Sequence, residues 1–208
     1  RMGMDTLRKY YADFGLGSPT GIEIGDAAGL LPSQGAGENL APWAAFGQAN
    51  QLYTPLQLAN YIATLSGGGD RYATHLLKNV RESGSGALEY VYAADPVQTI
   101  EMSSENLSAV LAGMHDLATD GAVAPYFKDC IVDAAAKTGT IQTGDTKNNN
   151  GAFVCFAPYD DPQIAVAIVI EKGGSGAALA STAVQVLNAY FSNTSASSAI
   201  TGENTLLG

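Results

Sequence analysis

Ala134-Ala135-Ala136-Lys137-Thr138-Gly139-Thr140, then Gly151-Ala152-Phe153-Val154-Cys155-Phe156-Ala157, then Ile164-Ala165-Val166-Ala167-Ile168-Val169-Ile170: these three runs decide the fold. The first predicts a strand over 131–140, the second a strand over 151–157 and the third a strand over 164–170. Asp160-Asp161-Pro162 supplies a tight turn between the last two. The third run does not alternate, and a strand apolar on both faces is expected to be covered above and below. In a strand-turn-strand-turn-strand meander the middle strand is covered on both edges. The most hydrophobic strand then keeps an open edge, which invites aggregation unless it is paired or blunted. A further strand, absent from this sequence or supplied by another chain, is therefore expected beside 164–170. Pairing Thr140 with Gly151 sets Cys155 opposite Ala136 and leaves Cys130 some six residues further along. At ~3.3 Å per residue that lies beyond disulfide reach, so two free thiols are expected.

Outward from this core, the remaining elements read as helices and one hairpin. Met4, Leu7, Tyr11 and Phe14 follow a helical spacing, and Gly15 stands where such a helix stops. Residues 15–50 are rich in Gly, Pro, Ser and Ala without a period, a length of irregular chain that is usually functional or covers something. Thr54 as N-cap, Pro55 at the first helical position and Gln57 completing a capping box start a second helix, which Gly67-Gly68-Gly69 ends. Residues 75–93 predict a hairpin around Ser83-Gly84-Ser85-Gly86. A helix capped by Ser103 or Ser104 buries Leu107, Val110, Leu111 and Met114 and ends near Asp120-Gly121. A closing helix carries Leu179, Ala183, Val186, Leu187 and Tyr190 on one stripe. Residues 192–208 are Ser/Thr-rich and read as a disordered tail. The fold class is α+β, an antiparallel sheet with flanking helices, over 1–191.

Composition excludes several functions. Ten Lys and Arg against 20 Asp and Glu give a formal charge of −10 in 208 residues, which repels a phosphate backbone and excludes nucleic-acid binding. Two Cys and two His fall short of the four ligands a structural zinc site takes, and no metal or other cofactor is expected. No apolar run approaches the ~18 residues of a membrane span. Gly174-Ser175-Gly176 is no dinucleotide fingerprint, because the sixth position of that frame is Leu179. His75 and His115 lack partner spacing and read as surface or boundary residues. Asp160-Asp161 reads as turn chemistry. Trp43 and Phe46 either line a groove or bury against the long loop.

Lys137-Thr138-Gly139 by itself decides little, since a Lys-[Ser/Thr]-Gly triplet arises by chance in roughly one chain in ten of this length. Its surroundings carry more. Gln142 extends it to Lys-Thr-Gly-Thr-x-Gln, and the strands 151–158 and 164–174, the latter ending Glu171-Lys172-Gly173-Gly174, follow in order. Upstream stand Phe14-Gly15-Leu16-Gly17, Thr20-Gly21-Ile22, Phe46-Gly47-Gln48-Ala49-Asn50 and Tyr53-Thr54-Pro55-Leu56-Gln57-Leu58-Ala59. Together these resemble the C-terminal portion of the transpeptidase domain of penicillin-binding proteins, relatives of the serine β-lactamases, whose motifs are Ser-x-x-Lys, Ser-x-Asn and Lys-Thr-Gly.

The resemblance implies a peptidoglycan DD-transpeptidase that binds penicillin and works through a serine acyl-enzyme. Its partners would be a D-Ala-D-Ala stem peptide and β-lactams, and its place the outer face of a bacterial cell membrane, anchored upstream. It implies that the hydroxyls of Thr138 and Thr140 bind the terminal carboxylate. It also implies that the Thr140 N–H is half of the oxyanion hole and that Gln142 touches substrate further along. Chemistry agrees: Lys137 is a positive charge able to ease deprotonation of a serine or hold a carboxylate, and Gly139 lets a peptide approach the strand backbone. The departure is that no Ser-x-x-Lys occurs in the 208 residues, and Ser104-Glu105-Asn106 reads as a helix cap rather than Ser-x-Asn. Both motifs lie upstream in the family, so the nucleophile is expected outside this chain, on a missing N-terminal part of the same domain, and the chain alone is expected to be inactive. A non-catalytic sensor module and a D-Ala-D-Ala carboxypeptidase or β-lactamase relative remain open alternatives.

Overall fold

The computed structural model describes residues 2–33, 40–143 and 149–197. In chain order the elements are α1 (Met4–Asp13), α2 (Leu40–Ala45), α3 (Pro55–Ser66), β1 (Asp70–Arg71), β2 (Asn79–Arg81), β3 (Leu88–Val91), β4 (Gln98–Thr99), α4 (Ser104–Thr119), α5 (Ala124–Phe127), β5 (Ala135–Ile141), β6 (Asn150–Ala157), β7 (Ile164–Ile170), a 3-10 turn (Gly176–Leu179) and α6 (Ala180–Ser197). The fold is α+β, as expected.

β5, β6 and β7 form one antiparallel sheet in that order. Helices cover both faces, and the side chains sort by strand alternation. Ala134, Ala136, Phe153, Cys155 and Ala157 face Leu179, Ala180, Ala183 and Leu187 of the last helix and its entry turn. Ala135 and Phe156 face the other way, onto Ile62 and Leu65 of α3 and Met114 of α4. The run Ala134-Ala135-Ala136 thus serves two cores at once, and a small residue at each position lets both layers approach. β7 follows the same rule, with Ile164, Val166 and Ile168 packed toward α6 and Ala165 toward α3. Its non-alternating sequence reports cover on both faces. Its outer edge pairs with no strand among the described residues, which agrees with the open edge expected from the sequence.

The register matches expectation: Thr140 pairs with Gly151 and Ala136 with Cys155. Both cysteines are free thiols. Burial pushes the Cys155 thiol up to about 12, and also raises that of Cys130. The first strand, however, starts at Ala135 rather than at residue 131. Tertiary hydrogen bonds engage the preceding residues: Ile131 N–H donates to Asn188 Oδ1 of α6 (2.9 Å) and the Asp133 carbonyl accepts from Tyr159 N–H (3.0 Å). In α6 the buried stripe is Ala183, Val184 and Leu187, while Val186 and Tyr190 are partly exposed, so the apolar face is turned slightly from the expected one. α6 continues to Ser197, six residues into the stretch read as a tail, and 198–208 lie outside the described residues.

One buried side chain at the start of α3 ties part of the irregular stretch 15–33 to the helix. Thr54 and Gln57 form the expected capping box, with Gln57 N–H donating to Thr54 Oγ1 (3.1 Å) and Thr54 N–H to Gln57 Oε1 (2.9 Å). The same carboxamide reaches back with Nε2 to the carbonyls of Ser18 (2.7 Å) and Ala28 (2.8 Å). Gln57 is 1% exposed. Gly29, at φ +67°, lets the chain pass close to the Leu52 carbonyl and the Gln57 amide. Gln57→Ala removes a buried side chain together with the partner of the Thr54 N–H and of the Ser18 and Ala28 carbonyls, and is expected to cost about 2 kcal/mol, read from urea unfolding; a loss within error would show that water replaces the amide. α2, α5 and the β1–β4 pair carry no periodic signal in the sequence. Each is six residues or shorter.

The two histidines depart from the expectation of unpartnered surface residues. His115 Nε2 lies 2.9 Å from Asp133 Oδ2, and its ring stacks on Tyr159 at 4.2 Å. His75 stacks on Tyr92 at 3.5 Å. Ser103 caps α4 by accepting from Asn106 N–H (3.2 Å), which settles Ser104-Glu105-Asn106 as a helix start.

Candidate functional site

Lys137, Thr138, Gly139 and Thr140 occupy consecutive positions of β5, an edge strand whose second edge faces away from β6. Strand alternation puts Lys137 and Gly139 on the α3/α4 face with Ala135, and Thr138 and Thr140 on the α6 face with Ala136. Lys137 is exposed, and its ammonium curls to the outer rim, where it donates to the Thr138 carbonyl (2.6 Å). N–H and C=O of one strand residue point to the same edge, so Thr138 and Thr140 turn their backbone groups outward while Lys137, Gly139 and Ile141 pair with β6. The Thr140 N–H therefore faces the open rim, beside the lysine charge. The Thr140 hydroxyl lies 3.5 Å from the Gly176 N–H on the α6 side.

The strand is held flush from behind. Gly176 approaches so closely that a Cβ there would overlap the carbonyl oxygens of Gly139 and Ala152. Serine caps this turn: Ser175 Oγ accepts from Ala177 N–H (3.3 Å). Only a glycine permits a helical entry to rest directly on sheet backbone. At Gly139 a Cβ would meet the Ala152 Cβ at 3.4 Å.

One contributor to the rim was not foreseen. Gln48 Nε2 donates to the Thr140 carbonyl (2.8 Å), and Gln142 N–H donates to Gln48 Oε1 (3.4 Å). Among the described residues the rim thus keeps the Thr138 and Thr140 N–H groups open, while the Thr138 carbonyl takes the Lys137 ammonium and Gln48 closes the stretch from the Thr140 carbonyl to Gln142. Gln142 itself is exposed. The local signal was Gly47, which ends α2 with φ +86° while the Gln48 N–H donates to the Trp43 carbonyl (2.9 Å). Trp43 and Phe46 of this segment are 50% and 61% exposed, with ring centroids 5.2 Å apart, so they are not buried against the loop. Among the described residues no three His, Cys, Asp or Glu side chains converge as metal ligands, and no helix is long and apolar enough to cross a membrane.

A family model for the penicillin-binding protein transpeptidase domain matches residues 1–191. The chain belongs to that family. Among relatives of this transpeptidase domain, penicillin-binding protein 2A of Bacillus subtilis is 34% identical over 180 residues, covering 80% of this chain and 25% of the relative. The peptidoglycan D,D-transpeptidase MrdA of Salmonella typhimurium is 30% identical over 200 residues, covering 84% of this chain and 32% of the relative. In structure, penicillin-binding protein 2B of Streptococcus pneumoniae superposes with a TM-score of 0.78 at 26% identity, covering 91% of this chain and 33% of that one. The chain spans about a quarter to a third of the length of these penicillin-binding relatives.

Proposed function

We propose that this chain is the C-terminal part of the transpeptidase domain of a peptidoglycan D,D-transpeptidase. The observation that carries the reading is the outward rim of β5, where the Thr140 N–H faces solvent beside the Lys137 ammonium. An extended acyl donor ending in D-Ala-D-Ala adds to this edge as another strand. Lys137, with the hydroxyls of Thr138 and Thr140, attracts its terminal carboxylate. The Thr140 N–H donates to the oxygen that becomes negative when the scissile carbonyl turns tetrahedral. Gln142 borders the same groove. The attacking serine lies outside this chain: its Oγ bonds to the carbonyl carbon, the C–N bond to the terminal D-Ala breaks, and the serine proton ends on the departing amine. A second stem-peptide amine then takes the acyl group and releases the serine. β-Lactams enter the same site and stop at the acyl-enzyme.

The remainder of the domain, as an upstream segment or a separate chain, completes the molecule. The half-buried apolar edge of β7 supports this, since it offers a pairing site for one further strand. The length of the relatives supports it as well. Work on cell wall outside the cytoplasmic membrane, with an anchor elsewhere in the protein, belongs to the same reading.

Fluorescent penicillin is the test. The complete protein is expected to carry a covalent label that survives denaturing electrophoresis, and the 208-residue chain alone none. A complete, folded protein that stays unlabelled is a binding or sensor module, and the catalytic reading fails.

A further inference from the structure

Gln48 does more than anchor a loop. Its carboxamide has the shape of a peptide group and sits on the outer edge of β5 as a neighbouring strand would, giving a donor to the Thr140 carbonyl and an acceptor to the Gln142 N–H from 92 and 94 residues away. In an antiparallel pair, two directly opposed residues exchange both hydrogen bonds. A ligand residue whose carbonyl oxygen takes the Thr140 N–H therefore directs its own N–H at the Thr140 carbonyl. Gln48 already holds that acceptor. From this we infer that Gln48 is a specificity-determining residue: it competes with the amide N–H of the acyl-donor residue and sets how far along the rim an extended ligand pairs. The inference rests on the proposed use of the rim by an acyl donor.

The consequence is a defined discrimination. An acyl donor with a secondary amide at the residue bearing the reacting carbonyl meets the Gln48 carboxamide where its own backbone would run and shares the Thr140 carbonyl with it, so its second hydrogen bond gains little. Its N-methyl analogue offers no donor and leaves Gln48 seated. Once Gln48 is truncated, the secondary amide meets a vacant carbonyl. The preference for N–H over N-methyl is then expected to grow by about three- to tenfold, the worth of one net hydrogen bond. Gln48→Glu removes the donor and keeps an acceptor for the Gln142 N–H.

Two measurements on Gln48→Ala and Gln48→Glu test this. Amide hydrogen exchange of Gln142 in the complete protein is expected to quicken about tenfold in Gln48→Ala and to stay slow in Gln48→Glu. Acylation rates of the complete protein with the matched pair of donors are expected to show the enlarged preference in both variants, since both lack the competing donor. An unchanged preference beside altered exchange makes Gln48 an anchor only and overturns the inference, as does unchanged Gln142 exchange in Gln48→Ala. Wild-type protein that reacts with neither donor refutes the transpeptidase reading itself and takes this inference with it, whereas failure of the preference alone leaves that reading standing. Should Gln48→Ala fold poorly, Gln48→Glu decides the question by its preference.

Discussion

Lys137→Ala in the complete protein is expected to slow penicillin acylation by about 10²- to 10⁴-fold, the range found when a positioned charge or proton-transfer group is taken from an active site. The fold should not change. Lys137 is exposed, and its recorded hydrogen bond goes to the carbonyl of its own neighbour, Thr138. Surface positions of this kind move stability little, so the melting temperature is expected within about 2 °C of wild type. Lys137→Arg retains the charge but spreads it over a planar fork, and an intermediate rate is expected. The measurement is the second-order acylation rate with a thermal melt alongside. A rate unchanged in Lys137→Ala would remove this residue from the mechanism; a low rate with a collapsed melt would make its role structural.

Gly176→Ala is expected to be the most damaging single methyl in the sheet region. The added carbon overlaps the carbonyl oxygens of Gly139 and Ala152 and lies 2.8 Å from the Gly139 nitrogen. These are backbone atoms of two paired strands, and they yield only if the entry to α6 lifts off the sheet. Overpacking of this kind costs about 3 kcal/mol, or some 6–12 °C in melting temperature for a chain this size. The displaced strand carries Thr138 and Thr140, so acylation in the complete protein should fall too. Gly113→Ala is the control. It sits within α4 with nothing inside 4 Å of an added Cβ, and alanine there should stabilise by about 0.5–1 kcal/mol. If both substitutions behave alike, close packing against Gly139 is not what holds β5 in place.

Much of this architecture is legible locally because each signal has a local cause. Thr54-Pro55 with Gln57 contains a complete helix start, both partners lying within three residues. The β5–β6 register follows from the alternation of small and apolar residues along the two strands. The run 164–170 declares cover on both faces by composition alone. Short elements are harder to see, since α2, α5 and the β1–β4 pair are too brief to repeat a period and owe their existence to what they touch. Strand β5 begins late because Ile131 and Asp133 bond to Asn188 and Tyr159 rather than to β6. Nothing near residue 131 in sequence mentions those partners.

The candidate site divides along the same line. Lys137, Thr138, Gly139 and Thr140 are adjacent, and adjacency on a strand already dictates which face each side chain takes and which way each amide points. Order and spacing therefore determined the strand, its register and the direction of its free edge. Tertiary structure decided the rest: that Gly176 backs the strand, that His115 meets Asp133, and that Gln48 closes one end of the rim. Each of these joins groups brought together only when the chain collapses. The strength of such a contact depends on distance and burial in three dimensions, which no short window of residues encodes.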